Sequence, residues 1–114
     1  MKFPNPDDLG DAPIWENYVV AQAVQASLGL IPGSAQALGV QVHGRRVRLH
    51  VQLSEASDQA SEDIDDIVDD LRSLLGNGVE VDAVQEVVDV RKISPHDGIR
   101  WTFLARSDCS GATD

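Results

Sequence analysis

Between Leu38 and Leu53 the chain alternates apolar and polar residues so regularly that a β-hairpin is the one local structure that fits. Leu38, Val40 and Val42 alternate with Gln41 and His43, and Val47, Leu49, Val51 and Leu53 alternate with Arg46, Arg48, His50 and Gln52. A period of two puts successive side chains on opposite faces of a strand. With Gly44-Arg45 as a two-residue turn, glycine first as a type II′ turn prefers, Val42 faces Val47, Val40 faces Leu49 and Leu38 faces Val51. Every apolar side chain then shares one face. The opposite face, with Gln41, His43, Arg46, Arg48, His50 and Gln52, is basic and devoid of carboxylates.

The period changes after Ser54. Ile64, Ile67, Val68, Leu71, Leu74 and Leu75 recur at i, i+3, i+4 and i+7, the spacing of an amphipathic helix. Ser54 and Ser57 are both competent caps, and Gly76-Asn77-Gly78 breaks the helix. Upstream, Asp11 and Pro13 mark the start of another helix, with Ile14, Tyr18, Ala21, Val24 and Leu28 as its expected buried stripe and Val20 alongside. Gly29 and Pro32 end it. Downstream, Val79, Val81 and Ala83 alternate and then yield to Val84, Val88 and Val90 on the other parity, which predicts a bulge near Val87-Val88. Turn chemistry at Ser94 to Gly98 leads into a last strand, Ile99 to Arg106, expected to form a second hairpin with Trp101 and Phe103 facing the helices.

The predicted class is therefore α+β, in the order α-β-β-α-β-β. Two amphipathic helices and two half-buried hairpins combine most economically as a two-layer sandwich, a four-stranded, mainly antiparallel sheet with both helices on one face. A length of 114 residues, 42% of them hydrophobic, supports one core. We expect a single domain over residues 1–106, irregular over 1–12, followed by a flexible tail at 107–114.

Composition narrows the function. The chain has 19 acidic and 9 basic residues and a formal charge of −10, which repels phosphate backbones and anionic membranes. Neither nucleic acid nor membrane is an expected partner. Cys109 is the single cysteine, so no intrachain disulfide forms, and no apolar stretch is long enough for a signal peptide or a membrane span. The cytoplasm is the expected compartment. Lys2 and Lys92 are the only lysines, which with the richness in Ala, Asp, Gly and Val points to a GC-rich bacterial coding sequence.

No residue constellation announces catalysis, and we expect no enzyme, no cofactor and no metal. His43 and His50 share a hairpin face about four residue steps apart, roughly 13 Å, which is too far for one zinc ion. His96-Asp97 sits in a turn without a nucleophile beside it. Eight carboxylates fall between Glu55 and Asp70 with no Lys or Arg among them. The string Asp65-Asp66-Ile67-Val68-Asp69-Asp70 resembles the Asp-Asp-x-x-Asp magnesium motif of isoprenoid synthases, but only over six residues. Those enzymes are large helical bundles with a second acidic motif, which this chain lacks.

The leading expectation is a non-catalytic protein-binding module for a basic partner, of which a toxin inhibitor or a small secretion-type chaperone would be examples. Glu62, Asp63, Asp66, Asp69 and Asp70 on the second helix form its docking stripe, because like charges one turn apart repel and the isolated helix does not favour them. A second reading is a homodimeric scaffold joined through the sheet face of Gln41, His43, Arg46, Arg48 and His50. A third is an accessory subunit holding a divalent cation on the acidic helix.

Overall fold

The computed structural model describes residues 12–76, 78–94 and 97–105. Two helices, α1 (Ala12–Ser27) and α2 (Asp58–Leu75), and four strands, β1 (Ala35–His43), β2 (Arg46–Leu53), β3 (Glu80–Val87) and β4 (Arg100–Leu104), follow in the order α1-β1-β2-α2-β3-β4. The tail from 107 and the segment before Ala12 lie outside the described residues, as do His96 and Cys109.

The hairpin has the expected register, Val42 opposite Val47, Val40 opposite Leu49 and Leu38 opposite Val51. Gly44 begins its turn with a φ of 58°, a left-handed backbone that glycine enters without a Cβ clash. α2 is the expected helix, except that Leu74 of its expected stripe is exposed and Leu75 only half-buried in the last turn. Ser57 caps it by accepting the Ala60 N–H at 3.0 Å, and Gly76 closes it by donating its N–H to the Arg72 carbonyl. Ala60, Ile64, Ile67, Val68 and Leu71 are its buried face.

α1 departs from expectation. Trp15, Val19, Ala23 and Ala26 are buried, whereas Ile14, Val24 and Leu28 are exposed. Apolar residues lie all round this helix, so its periodicity does not choose a side. Trp15 makes the choice: its indole N–H donates to the Gly44 carbonyl at 2.7 Å and its ring stacks on Tyr18.

The strands assemble in the order β3-β2-β1-β4. β1 pairs antiparallel with β2 and β4, but β2 and β3 are parallel, joined through α2, so the sheet is mixed. The expected second hairpin does not form, because β3 and β4 occupy opposite edges. Nor is there a bulge at Val87-Val88: β3 keeps an unbroken register from Arg46↔Glu80 to Leu53↔Val87, and Val88 adds one more bond, N–H to the Leu53 carbonyl. One irregularity falls on β1, where Gln36 is passed over between Ala35 and Ala37 against β2, and one on β4, where Thr102 is passed over between Phe103 and Trp101 against Leu38 and Gly39.

That second shift separates two aromatic residues expected on one face. Phe103 pairs with Leu38 and packs on the core, whereas Trp101 pairs with Gly39 on the outer side. One core unites Leu38, Val40, Val47, Leu49, Val51, Leu53 and Val81 of the sheet with the buried faces of both helices.

Candidate functional site

The outer face of the sheet was expected to be bare and basic, and it is neither. Parallel pairing brings Glu80 beside Arg46, Asp82 beside Arg48 and Glu86 beside Gln52. Arg48 Nε donates to Asp82 Oδ1 at 2.9 Å and Nη2 to Oδ2 at 3.3 Å, a bidentate pair. Hydrogen bonding from Arg48 holds the Asp82 carboxyl below its usual range, and the same bond raises the guanidinium further. β3 thus supplies the carboxylates that the hairpin lacks. The sequence shows Glu80 and Asp82 but not which strand will neighbour them.

The same face is crossed by the chain running from β3 to β4. Gln52, on the outer side yet only 5% exposed, accepts the Lys92 N–H at 2.7 Å and donates to the Lys92 carbonyl. Asp97 staples the far end of this crossover, accepting the Ile99 N–H at 2.9 Å, the Ser94 N–H at 3.1 Å and the Trp101 indole N–H at 3.1 Å. These bonds, the one from Ile99 foremost, pull the Asp97 carboxyl below its usual range. Ile99 and Trp101 then lie over Gly39, where a Cβ would meet each of their side chains at 2.8 Å.

Two clefts result. The larger, about 480 Å³, is lined by Gln41, His43, Arg46, Val47, Arg48, Glu80 and Asp82. The smaller, about 150 Å³, holds His50 and Gln52 against Val84, Lys92 and Trp101. His50 Nε2 lies 3.1 Å from the Gln41 side-chain oxygen. Burial, reinforced by Arg48, lowers the His50 pKa and favours the neutral ring. Of the residues expected here, the structure gathers Gln41, His43, Arg46 and Arg48 around one cleft and places His50 in the other. Among the described residues, no three His, Cys, Asp or Glu side chains are placed to hold a metal ion.

The acidic stripe lies on the helices' side of the sheet. Glu62, Asp66, Asp69 and Asp70 are exposed and Asp63 is half-buried. Asp63 accepts from Gln59 at 3.0 Å, and Asp69 pairs with Arg72 at 3.3 Å. α1 packs against α2. Its outer face carries Ile14, 57% exposed, Val24, 43%, and Leu28, 65%, with Asn17, Ala21 and Gln25 between them; α1 adds no charge to it, and Arg100 of β4, paired with Glu16, reaches Asn17 at its edge. The expectation that Ile14, Val24 and Leu28 are buried hides this face at the level of the sequence.

No protein-family model matches this chain. A search of curated proteins likewise finds no match. Among the described residues no helix is long and apolar enough to cross a membrane.

Proposed function

We propose that the chain is a single-domain, non-catalytic protein-binding module of the cytoplasm whose two helices form one layer over the sheet and dock a basic protein. The observation that carries this reading is that α1, with Ile14, Val24 and Leu28 exposed, packs against α2, whose exposed positions Glu62, Asp66, Asp69 and Asp70 are acidic. Protein interfaces combine an apolar centre with a polar rim, and contiguous exposed aliphatic residues are the usual mark of the centre. Covering Ile14, Val24 and Leu28 supplies affinity, while the carboxylates of α2 supply steering and selection against acidic partners.

One further feature supports the non-catalytic part of the reading. Asp97 and His50, the titratable groups in the smaller cleft whose pKa values move, are engaged in holding the crossover and Gln41. The helix layer is preferred over a sheet-face homodimer because the crossover and the Arg48–Asp82 pair already occupy much of that face. It is preferred over a cation site because Asp63 and Asp69 are bonded along the helix.

The test is affinity capture from the native host with three baits: wild type, Val24→Ser/Leu28→Ser, and Asp66→Asn/Asp69→Asn/Asp70→Asn. A partner retained by wild type should be lost with the first variant and should associate several-fold more slowly at low salt with the second. Equal capture and equal rates for all three would remove the helix layer as the docking surface.

A further inference from the structure

β3 is an edge strand, and the bonds at its two ends fix which of its backbone groups face outward. Glu80 donates its N–H to the Arg45 carbonyl and Val88 donates to the Leu53 carbonyl, with an unbroken parallel register between. The even-numbered residues therefore bond to β2, and the N–H and C=O of Val81, Ala83, Gln85 and Val87 point away from the sheet. Arg72 occupies one of these groups, donating to the Val81 carbonyl at 2.9 Å. Among the described residues, Ala83, Gln85 and Val87 have no backbone partner on that side.

Natural sheets blunt such edges with bulges, prolines, charged side chains (lysines above all) or very short strands. The opposite edge, β4, is five residues long and irregular against β1. β3 is eight residues long and regular, has neither proline nor lysine, and leaves Val84 and Val87 exposed. The charges it carries, Glu80, Asp82 and Glu86, are all acidic, so they oppose pairing with an acidic or identical strand but not with a basic one.

Charge decides what this edge accepts. Glu80, Asp82 and Glu86 stand on the outer side of β3. On the helix side, Ser61 of α2 receives a hydrogen bond from Gln85 and Arg72 reaches Val81, so the face of α2 bearing Asp65 and Asp69 overlooks the same edge. A second copy of β3 would set acids against acids, and like charges across a strand pair destabilise it. We propose that this edge binds an extended basic segment of the partner by strand addition, its alternate Lys or Arg side chains lying beside Glu80 and Glu86 and the intervening apolar ones beside Ala83 and Val87. Backbone bonds then give affinity and the alternation gives selectivity.

This inference rests on the reading of a basic protein partner and adds how that partner is held. The probe is a short, end-capped peptide of alternating lysine and valine, titrated into the full chain and followed by amide NMR. Shifts at Ala83, Gln85 and Val87, weakened by salt and by replacing lysine with glutamate, are the expected result. Gln85→Pro removes an outward N–H without touching the β2 ladder and should weaken binding about tenfold or more, whereas Gln85→Ala, which loses only the bond to Ser61, should bind as wild type. Shifts confined to α1 and α2 would overturn strand addition and leave the helix-layer reading standing. Unaltered binding by Gln85→Pro, no shifts at all, or protection of the β3 amides that grows with protein concentration in the absence of peptide would each overturn it too, the last by making a second copy the occupant.

Discussion

Gln52 and Lys92, 40 residues apart, are joined by two hydrogen bonds that fasten the β3–β4 crossover to the outer face of the sheet. The side chain amide does what a neighbouring strand would do, satisfying both backbone groups of Lys92. Because Gln52 is buried, truncation leaves those groups without a partner of matching geometry. Gln52→Ala should cost about 1–3 kcal/mol in urea denaturation and speed amide exchange selectively over residues 91–94. A loss of stability with unchanged exchange there would place the role of Gln52 elsewhere.

Gly39 is the position where the crossover comes closest. A methyl group would meet Ile99, Trp101 and the Arg100 carbonyl at 2.8 to 2.9 Å, and the carbonyl belongs to a paired strand that cannot yield without breaking the ladder. Gly39→Ala should destabilise by about 1–3 kcal/mol and shift the tryptophan emission as Trp101 is lifted from the sheet. Wild-type emission and stability together would show that the close approach is relieved at no cost.

Leu71 and Asp69 test the phase of α2. Leu71 is fully buried, so Leu71→Ala should cost roughly 2–5 kcal/mol through the cavity it leaves. Asp69 is exposed and pairs with Arg72, a bond that offsets its repulsion by neighbouring acids, so Asp69→Asn should change stability by less than about 0.5 kcal/mol. Parallel denaturant melts of the two variants give the comparison directly.

His50 should leave a signature in the pH dependence of folding. Its pKa is lowered from 6.5 in the folded chain, chiefly by burial and then by Arg48. Below 6.5 the unfolded chain binds this proton more readily than the folded one, so stability rises with pH there. The contribution is fully present above 6.5 and is lost as pH falls through the lowered folded value. Wild type minus His50→Gln, compared by melts across that range, should show the slope, and NMR titration should place the ring below 6.5. A folded value at or above 6.5 would refute the assignment.

Much of this architecture is legible in the residues themselves where the information is local. The hairpin register follows from the alternation around Gly44 and the buried face of α2 from its stripe, because each pattern has one amphipathic solution. α1 is different. With apolar residues on every side, either Ile14 and Leu28 or Trp15 and Val19 satisfy the helical spacing, and only the tertiary bond from Trp15 to Gly44 separates them. The pairing of β3 is also non-local. Its alternation says that it is a strand but not that it runs parallel to β2, and without that neighbour the Arg48–Asp82 pair cannot be anticipated. The side of Trp101 depends on one extra residue within β4, Thr102, which puts Trp101 and Phe103 on opposite faces although they share a parity in the sequence.

The position of β4 at the far edge of β1 also has a temporal meaning. A nascent chain that has reached Val88 already contains every residue of β1, β2, α2 and β3, yet the edge of β1 that β4 will cover is still open. Sixteen further residues must be added before Leu104 arrives, which at ordinary translation rates takes roughly one to three seconds. During that interval β1, with Ala37, Leu38 and Val40 destined for the core, offers another nascent chain a second open edge besides that of β3, and one without its acidic residues. Slowing translation between codons 88 and 104 should therefore lower the soluble yield more than the same delay placed within α1.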